Sequence, residues 1–439
     1  MIGIELLVVL AAIYLGARIG SIGIGFAGGL GVLVLTWGLG MPIPSDQLVT
    51  YLPWDVIMII ASVICAIACM QLAGGMDYLV HLAEKALRKN PKHITFAAPV
   101  VTYLMTMLAG TGHTAFSTLP VIAEVAKEQG IRPSRPLSIA VVASQIAITA
   151  SPISAAVVAF SGMLEPLGVD YLTLLAICIP SSFIACLLGA FIANLLGKPL
   201  DQDEVYLERK AKGLIKLRGT SQVEIKPYAK LSVGIFVASI VAVMAYATAI
   251  SGNVGLISSP PIPRDGAIMC IMLSAANLMV LFYKQDAAQI TNMPTFKSGM
   301  SACICVLGVA WLGNVFVKGN MVEIQAFAGD LLSQYSWLLA VVLFFSSMLL
   351  YSQGATTKAL MPAALALGVS PLAAIASFAA VSALFVLPTY PTLLAAVEMD
   401  DTGSTRIGKA VFNHPFFIPG VATIAMAVAL GFFFGGLIL

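Results

Sequence analysis

The chain has 439 residues, of which 59% are hydrophobic and only 10% charged, against about 25% charged in an ordinary soluble domain. With a mean hydropathy of +0.96 and repeated apolar runs of membrane-spanning length, it reads as an all-α polytopic membrane protein. A net charge of +2 argues against a nucleic-acid partner, and the seven cysteines, all in apolar segments without metal-ligand spacing, read as core thiols.

In chain order, spans are predicted near 3–17, 21–39, 54–73, 137–165, 171–197, 229–250, 266–283, 298–316, 371–397 and 415–438. The first lacks a basic leader and a small-residue cleavage site, so it is expected to be a span and not a cleaved signal. GIGFAG at 23–28 has the letters of a dinucleotide-binding fingerprint. It sits inside an apolar run with no strand before it, so it is assigned to close helix packing.

Two further apolar stretches, 94–127 and 336–367, are interrupted by AGTGHTAFSTLP and SQGATTKALMP. Read as re-entrant hairpins, they leave Arg18, 83–93, 124–136, 198–230, 284–297 and 401–410 on one side, which holds 20 of the 23 Lys and Arg residues. The positive-inside rule makes that side cytoplasmic. Read as full spans, they would move several basic loops outside. The expected organisation is a first repeat at 1–197 with hairpin 94–127, a cytoplasmic linker at 198–230, and a second repeat at 231–439 with hairpin 336–367. Each repeat would hold five spans and one hairpin, and the odd number of crossings would invert the second.

Short matches support the repeat. GHTAFSTLP (112–120) aligns with GATTKALMP (354–362), and Gly-x-x-Pro follows at 130–133 and 368–371. A long apolar segment then breaks at TASPISAAVV (149–158) or LPTYPTLLAAV (387–397). The fold expected is therefore an inverted-repeat carrier with helices broken at mid-membrane. Such breaks are tolerated only inside protein or beside a watery cavity. Each new helix N-terminus carries about half a positive charge and free N–H donors, which suits an anion.

Four helix starts are predicted, with Thr114 and Thr356 capping the returning hairpin arms and Ser151 and Tyr390 each standing before a proline. The candidate substrate-binding residues are Gly110, Thr111, Gly112, His113, Thr114, Thr149, Ser151, Gln353, Gly354, Thr356, Thr357, Lys358, Thr389, Tyr390 and Thr392. Lys358 ranks first, because an ionisable residue within a membrane segment is functional by default. Gln145 is a further amide donor, whereas Glu165, Asp170, Asp400 and Asp401 read as solvated ends. No catalytic residue, metal or cofactor is expected. The chain lacks HExxH, GxSG and a buried Asp pair, which argues against an intramembrane protease, and it lacks a soluble signalling domain.

Seven blocks carry a resemblance to a known family: LGARIGSIGIGFAGGLGVLVL, MQLAGGMDYLVH, LPVIAEVAKEQG, SQIAITASPISAAVV, FKSGMSACICVLGVAWLG, LPTYPTLLAAVEMDDTG and TRIGKAVFNHPFFIPG. They run from the first predicted span to the last, and the chain resembles the Dcu family of anaerobic C4-dicarboxylate transporters. The resemblance implies a multi-pass carrier of the bacterial inner membrane that exchanges fumarate, malate or aspartate for succinate. It also implies an elevator mechanism, in which a hairpin-bearing body moves past a scaffold, and with it a homodimer in the lipid bilayer. The Ser-Asn-Thr signatures of sodium-coupled dicarboxylate carriers are absent from both tips. A proton- or sodium-coupled symporter of a related di- or tricarboxylate is the alternative.

Overall fold

The computed structural model describes residues 2–19, 22–41, 43–52, 54–215, 225–250, 256–284, 286–320, 322–323, 335–350, 352–388, 390–408, 410 and 412–439. Among them the fold is all-helical, without a strand. The chain opens with α1 (Ile2–Ile19), α2 (Gly23–Leu33, continued by a π turn at Val34–Gly38), α3 (Trp54–Leu72) and α4 (Gly75–Lys89). Then come α5 (Ile94–Ala109), α6 (Ala115–Glu128), α7 (Ser134–Ile146), α8 (Ala155–Leu164) and α9 (Tyr171–Leu195). After α10 (Glu204–Ala211) follow α11 (Ala229–Ala249), α12 (Arg264–Tyr283) and α13 (Pro294–Gly319). The last group is α14 (Leu338–Leu350), α15 (Gln353–Ala366), α16 (Pro371–Ser377, continued by a 3-10 stretch at Phe378–Phe385), α17 (Pro391–Met399) and α18 (Phe417–Ile438).

A helix, or a broken pair of helices, occupies each of the ten predicted spans. The breaks fall inside 137–165, between α7 and α8, and inside 371–397, before α17. Among the described residues, five helical stretches are long and apolar enough to cross a membrane by length and composition. Gly74, with φ 85°, turns the chain by 75° between α3 and the amphipathic α4.

Packing divides the helices into two bodies. The largest apolar core is drawn almost entirely from α5–α9 and α14–α18, with α9 laid against α18. A second core joins α3, α4, α11 and α12, and a third joins α1, α2 and α13. These two form a frame around the larger body, because α3 also packs on α13. The buried residues of the larger body that enter the frame's cores are Met105, Ile153, Val158, Leu350 and Ala355, with partly buried Val101 and Leu108 packed beside them. Among the described residues, two ion pairs also cross the border: Arg264 at the start of α12 meets Glu165 at 3.4 Å and lies over the Tyr171 ring, and Arg88 of α4 meets Glu128 of α6 at 2.7 Å.

Within the frame, α2 crosses α13 backbone to backbone. A Cβ placed on Gly308 would lie 1.8 Å from the Gly25 carbonyl oxygen. Gly25 of GIGFAG thus serves close helix approach, as its apolar setting implied.

Candidate functional site

Four interruptions in the larger body meet at one junction. The chain leaves α5 through Gly110, whose φ of 66° is a left-handed conformation open to glycine at little cost. It then enters α6 through a 3-10 turn, Gly112–Thr114. The Thr114 hydroxyl pairs with Thr106 at 3.1 Å and donates to the Thr111 carbonyl at 3.2 Å. Thr114 stands at the N-cap position of α6 but makes no side-chain cap bond. The expected Thr114 cap is corrected accordingly: its hydroxyl closes the turn behind the helix.

Between α7 and α8 the backbone runs through a 3-10 turn and then extends at Ser151. Ser151 donates to the Met107 carbonyl at 2.7 Å and so ties this break to the end of α5. The cap of α8 is Ser154, not Ser151, for Ser154 accepts from the Val157 N–H at 3.2 Å. Thr149 bonds back to Ile146 at 2.7 Å. In the other half α15 begins at Gln353, and its cap is Ser352, which accepts from the Ala355 N–H at 3.1 Å. Thr356 is therefore inside the first turn, where its hydroxyl donates to the Ser352 carbonyl at 2.8 Å, and Thr357 donates to the Gln353 carbonyl. Both are corrected from cap or free donor to back-bonded helix residues. Tyr390 does stand at the N-cap of α17 with Pro391 at the first helical position. The His113 side chain and all of Thr389 lie outside the described residues.

The centre of the junction is Gln145, fully buried at the end of α7. Its amide nitrogen donates to Thr392 at 3.2 Å, in the first turn of α17. The Gln353 amide donates to the Gln145 carbonyl oxygen and side-chain oxygen, each at 3.2 Å. Gly112 sits directly over it, since a Cβ there would lie 2.8 Å from the Gln145 amide nitrogen. Gly354 lies beside the start of α8, 3.6 Å from Ala155 by the same measure. The N-terminal ends of α6, α8, α15 and α17 are thereby brought together, and half-buried Lys358 stands in the second turn of α15. Chemically, this is a concentration of positive helix ends with amides, hydroxyls and one ammonium close by.

Gln145 carries more of the geometry than its sequence reading as an amide donor implied, and Ser352 and Ser154 were overlooked as caps. The usable signal was an amide within SQIAITASP, one turn before a break. One acidic residue differs from expectation. Asp400 is buried, accepting from Ser404 at 2.8 Å and from the Thr405 N–H at 2.7 Å, whereas Asp170 stands at a helix end, where it caps α9 through the Thr173 N–H at 2.7 Å.

A family profile described as anaerobic C4-dicarboxylate membrane transporter matches residues 1–439. The chain belongs to this family. It is 67% identical over 432 residues to the C4-dicarboxylate transporter DcuA of Wolinella succinogenes, covering 98% of each chain. It is 57% identical over 440 residues to the DcuA of Escherichia coli K12, covering 100% of each. The anaerobic C4-dicarboxylate transporter DcuB of Escherichia coli O6:H1 is more distant, at 35% identity over 447 residues, with 99% of this chain and 98% of that one covered. Among solved structures, the Alcanivorax borkumensis YdaH transporter, described as having an unusual topology, shares the fold. That match has a TM-score of 0.59 and 13% identity, and covers 95% of this chain and 98% of the other. Membership of the family makes the chain a membrane transporter of C4-dicarboxylates and not an enzyme.

Proposed function

We propose that the chain exchanges C4-dicarboxylates across the bacterial inner membrane, fumarate, malate or aspartate entering as succinate leaves, and that the substrate binds at the Gln145 junction. The observation that carries this reading is the meeting of four helix N-termini at one buried amide, in a chain of the C4-dicarboxylate family. Two carboxylates a few ångströms apart suit two facing tips, with Lys358 pairing one of them as a compact charge. The binding set is Gly110, Thr111, Gly112, His113, Thr114, Thr149, Ser151, Gln353, Gly354, Thr356, Thr357, Lys358, Thr389, Tyr390 and Thr392, joined by Gln145.

The larger body is the part that moves, as an elevator past the frame. Its own core is continuous, and its border with the frame combines apolar side chains with two ion pairs, Arg88–Glu128 and Arg264–Glu165, that would break and reform as the body slides. Contacts exchange between halves as an inverted repeat requires: α2 packs on α13 as α12 packs on α3, and α15 packs on α8 as α6 packs on α17. A body carrying several positive helix ends crosses a low-dielectric barrier more easily with a dianion bound than empty, because uncompensated charge loses hydration. That asymmetry produces exchange. The working assembly is a homodimer.

Fumarate uptake into proteoliposomes tests the reading. Strong uptake is expected into vesicles loaded with succinate and little into empty ones, with or without a sodium gradient. Equal uptake into loaded and empty vesicles, with no membrane potential imposed, would remove exchange in favour of coupled symport. The hairpins are tested separately with single cysteines in a Cys-depleted variant: Gln129→Cys should be labelled from the cytoplasm and Ala366→Cys from outside.

A further inference from the structure

Arg264 is the first residue of α12, in the frame, yet its side chain lies on the larger body and is only 11% exposed. Its Nη1 faces the Glu165 carboxylate at 3.4 Å, and the guanidinium lies 5.9 Å from the centre of the Tyr171 ring. It rests over Gly162 of α8, where a Cβ would come within 3.3 Å of Nη2. A helix glycine, a carboxylate and an aromatic face thus form a seat on the body for one cation of the frame. Asp265 also stands near, 3.7 Å from Arg264 Nε, but it belongs to α12 and stays with the frame.

The seat is joined to the break in the candidate site. Tyr171 opens α9, and its hydroxyl donates to the Pro152 carbonyl, next to Ser151 in the interruption between α7 and α8. Glu165 follows directly on α8. Ser134–Leu167, which contains that break, is long and apolar enough to be one span. Arg264 therefore grips one end of it, and the Arg88–Glu128 pair lies just before the other. The second grip is the looser one: its side chains are 23% and 25% exposed, so water and salt screen them more.

Given the sliding body proposed above, on which this rests, we infer that Arg264 is a positioning residue for transport. It seats the far end of the broken span in its present place, and its withdrawal from Glu165 and Tyr171 is the slow part of the body's departure. A cation leaving a mostly buried seat gives up an ion pair and a ring contact together. A neutral side chain has neither to lose, and its effect stays away from the Gln145 junction. A residue that serves only folding slows exchange when replaced, whereas one that holds the body back speeds it.

The test compares the maximal rate of fumarate–succinate counterflow in proteoliposomes with fumarate binding by the purified full chain in detergent. Glu165→Gln should raise the rate about 1.5- to 5-fold, the range for a partly exposed ion pair, and leave binding as in the parent. Arg264→Gln, which also gives up the ring contact, should raise it at least as much, and Arg264→Lys should stay nearer the parent. Glu128→Gln should give a smaller rise that multiplies with that of Glu165→Gln, because the two sites are far apart. The Glu165 side chain is 56% exposed, so that variant keeps the test open should Arg264→Gln fail to fold. A bridge separates this role from the sliding itself. In a Cys-depleted variant, Arg264→Cys and Glu165→Cys joined by a short, reducible thiol cross-linker should bind fumarate, lose counterflow and regain it on reduction. Counterflow undiminished by the bridge would overturn the sliding body. Counterflow stopped by the bridge but no faster in Glu165→Gln and Arg264→Gln would overturn the role of Arg264 alone.

Discussion

The turn before α6 and the start of α15 carry the similar strings GHTAFSTLP and GATTKALMP and are built differently. In the first, Gly110 takes a left-handed conformation, a 3-10 turn follows, and α6 begins only at Ala115 without a side-chain cap. In the second, Ser352 caps the helix directly and the α-helix already runs from Gln353. When Gly112 is aligned with Gly354, α15 starts one helical turn earlier than α6. That extra turn brings Gln353 to Gln145, and in the turn that follows Lys358 stands where the first half has Phe116. Two similar strings therefore yield one tip that supplies close backbone and another that supplies an amide and a charge.

The largest effect should come from the residue with no polar counterpart. Lys358→Ala is expected to lower fumarate–succinate counterflow in proteoliposomes about 10- to 100-fold, the range for a lost hydrogen bond to a charged group. Lys358→Arg should recover little of it, because the longer planar fork is not equivalent to a compact ammonium. Phe116→Leu should retain most activity, and comparable losses at 116 and 358 would erase the distinction between the tips. Next comes the amide that joins the breaks. Gln145→Leu removes the side-chain bonds to Gln353 and Thr392, leaving Gln353 only the backbone carbonyl at 145, at a cost of about 1–3 kcal/mol. A lowered unfolding midpoint and weakened fumarate binding are the expected readouts, and an unchanged pair of values would show that the junction is not energetically central.

The glycines sharpen the contrast further. Gly112→Ala places a Cβ 2.8 Å from the Gln145 nitrogen and 3.1 Å from the Ser144 carbonyl, whereas at Gly354 the nearest atom is an ordinary 3.6 Å away. Crowding at 112 should cost about 1–3 kcal/mol, and Gly354→Ala should be nearly silent in the same unfolding assay. The smallest expected effects are at the hydroxyls of the second tip. Ser352→Ala loses a cap worth about 1 kcal/mol. Thr356→Val should cost less, since its hydroxyl only bonds back to Ser352. A larger loss at Thr356 than at Ser352 would return the capping role to Thr356.

Helix positions were legible in the sequence because apolar length and the punctuation of glycine, proline and basic residues are local signals. The role of GIGFAG was legible for the same reason. Which hydroxyl caps a helix was not, because neighbouring Ser and Thr residues compete for the same N–H groups. Ser154 serves where Ser151 was expected, and Ser352 serves where Thr356 was. The standing of Gln145 was illegible for another reason. Its partners Gln353 and Thr392 lie in the other half of the chain, and no local pattern announces such a pairing. Asp400 was misread because solvation and a nest of Ser and Thr donors are equally good destinations for a carboxylate, and only folding decides between them.

The crossing of α2 with α13 and the packing of α3 on α12 impose an order on biogenesis. Both early helices find these neighbours in helices made much later, and at Gly25 and Gly308 the contact is backbone on backbone. The roughly 260 residues between Leu33 and Pro294 take roughly 13–52 s to make at about 5–20 residues per second. Throughout that interval the glycine face of α2 must wait in the bilayer against lipid or a temporary companion. A ribosome paused between the two groups of helices lengthens the wait, and a nascent chain released at that stage is a natural substrate for membrane proteolysis.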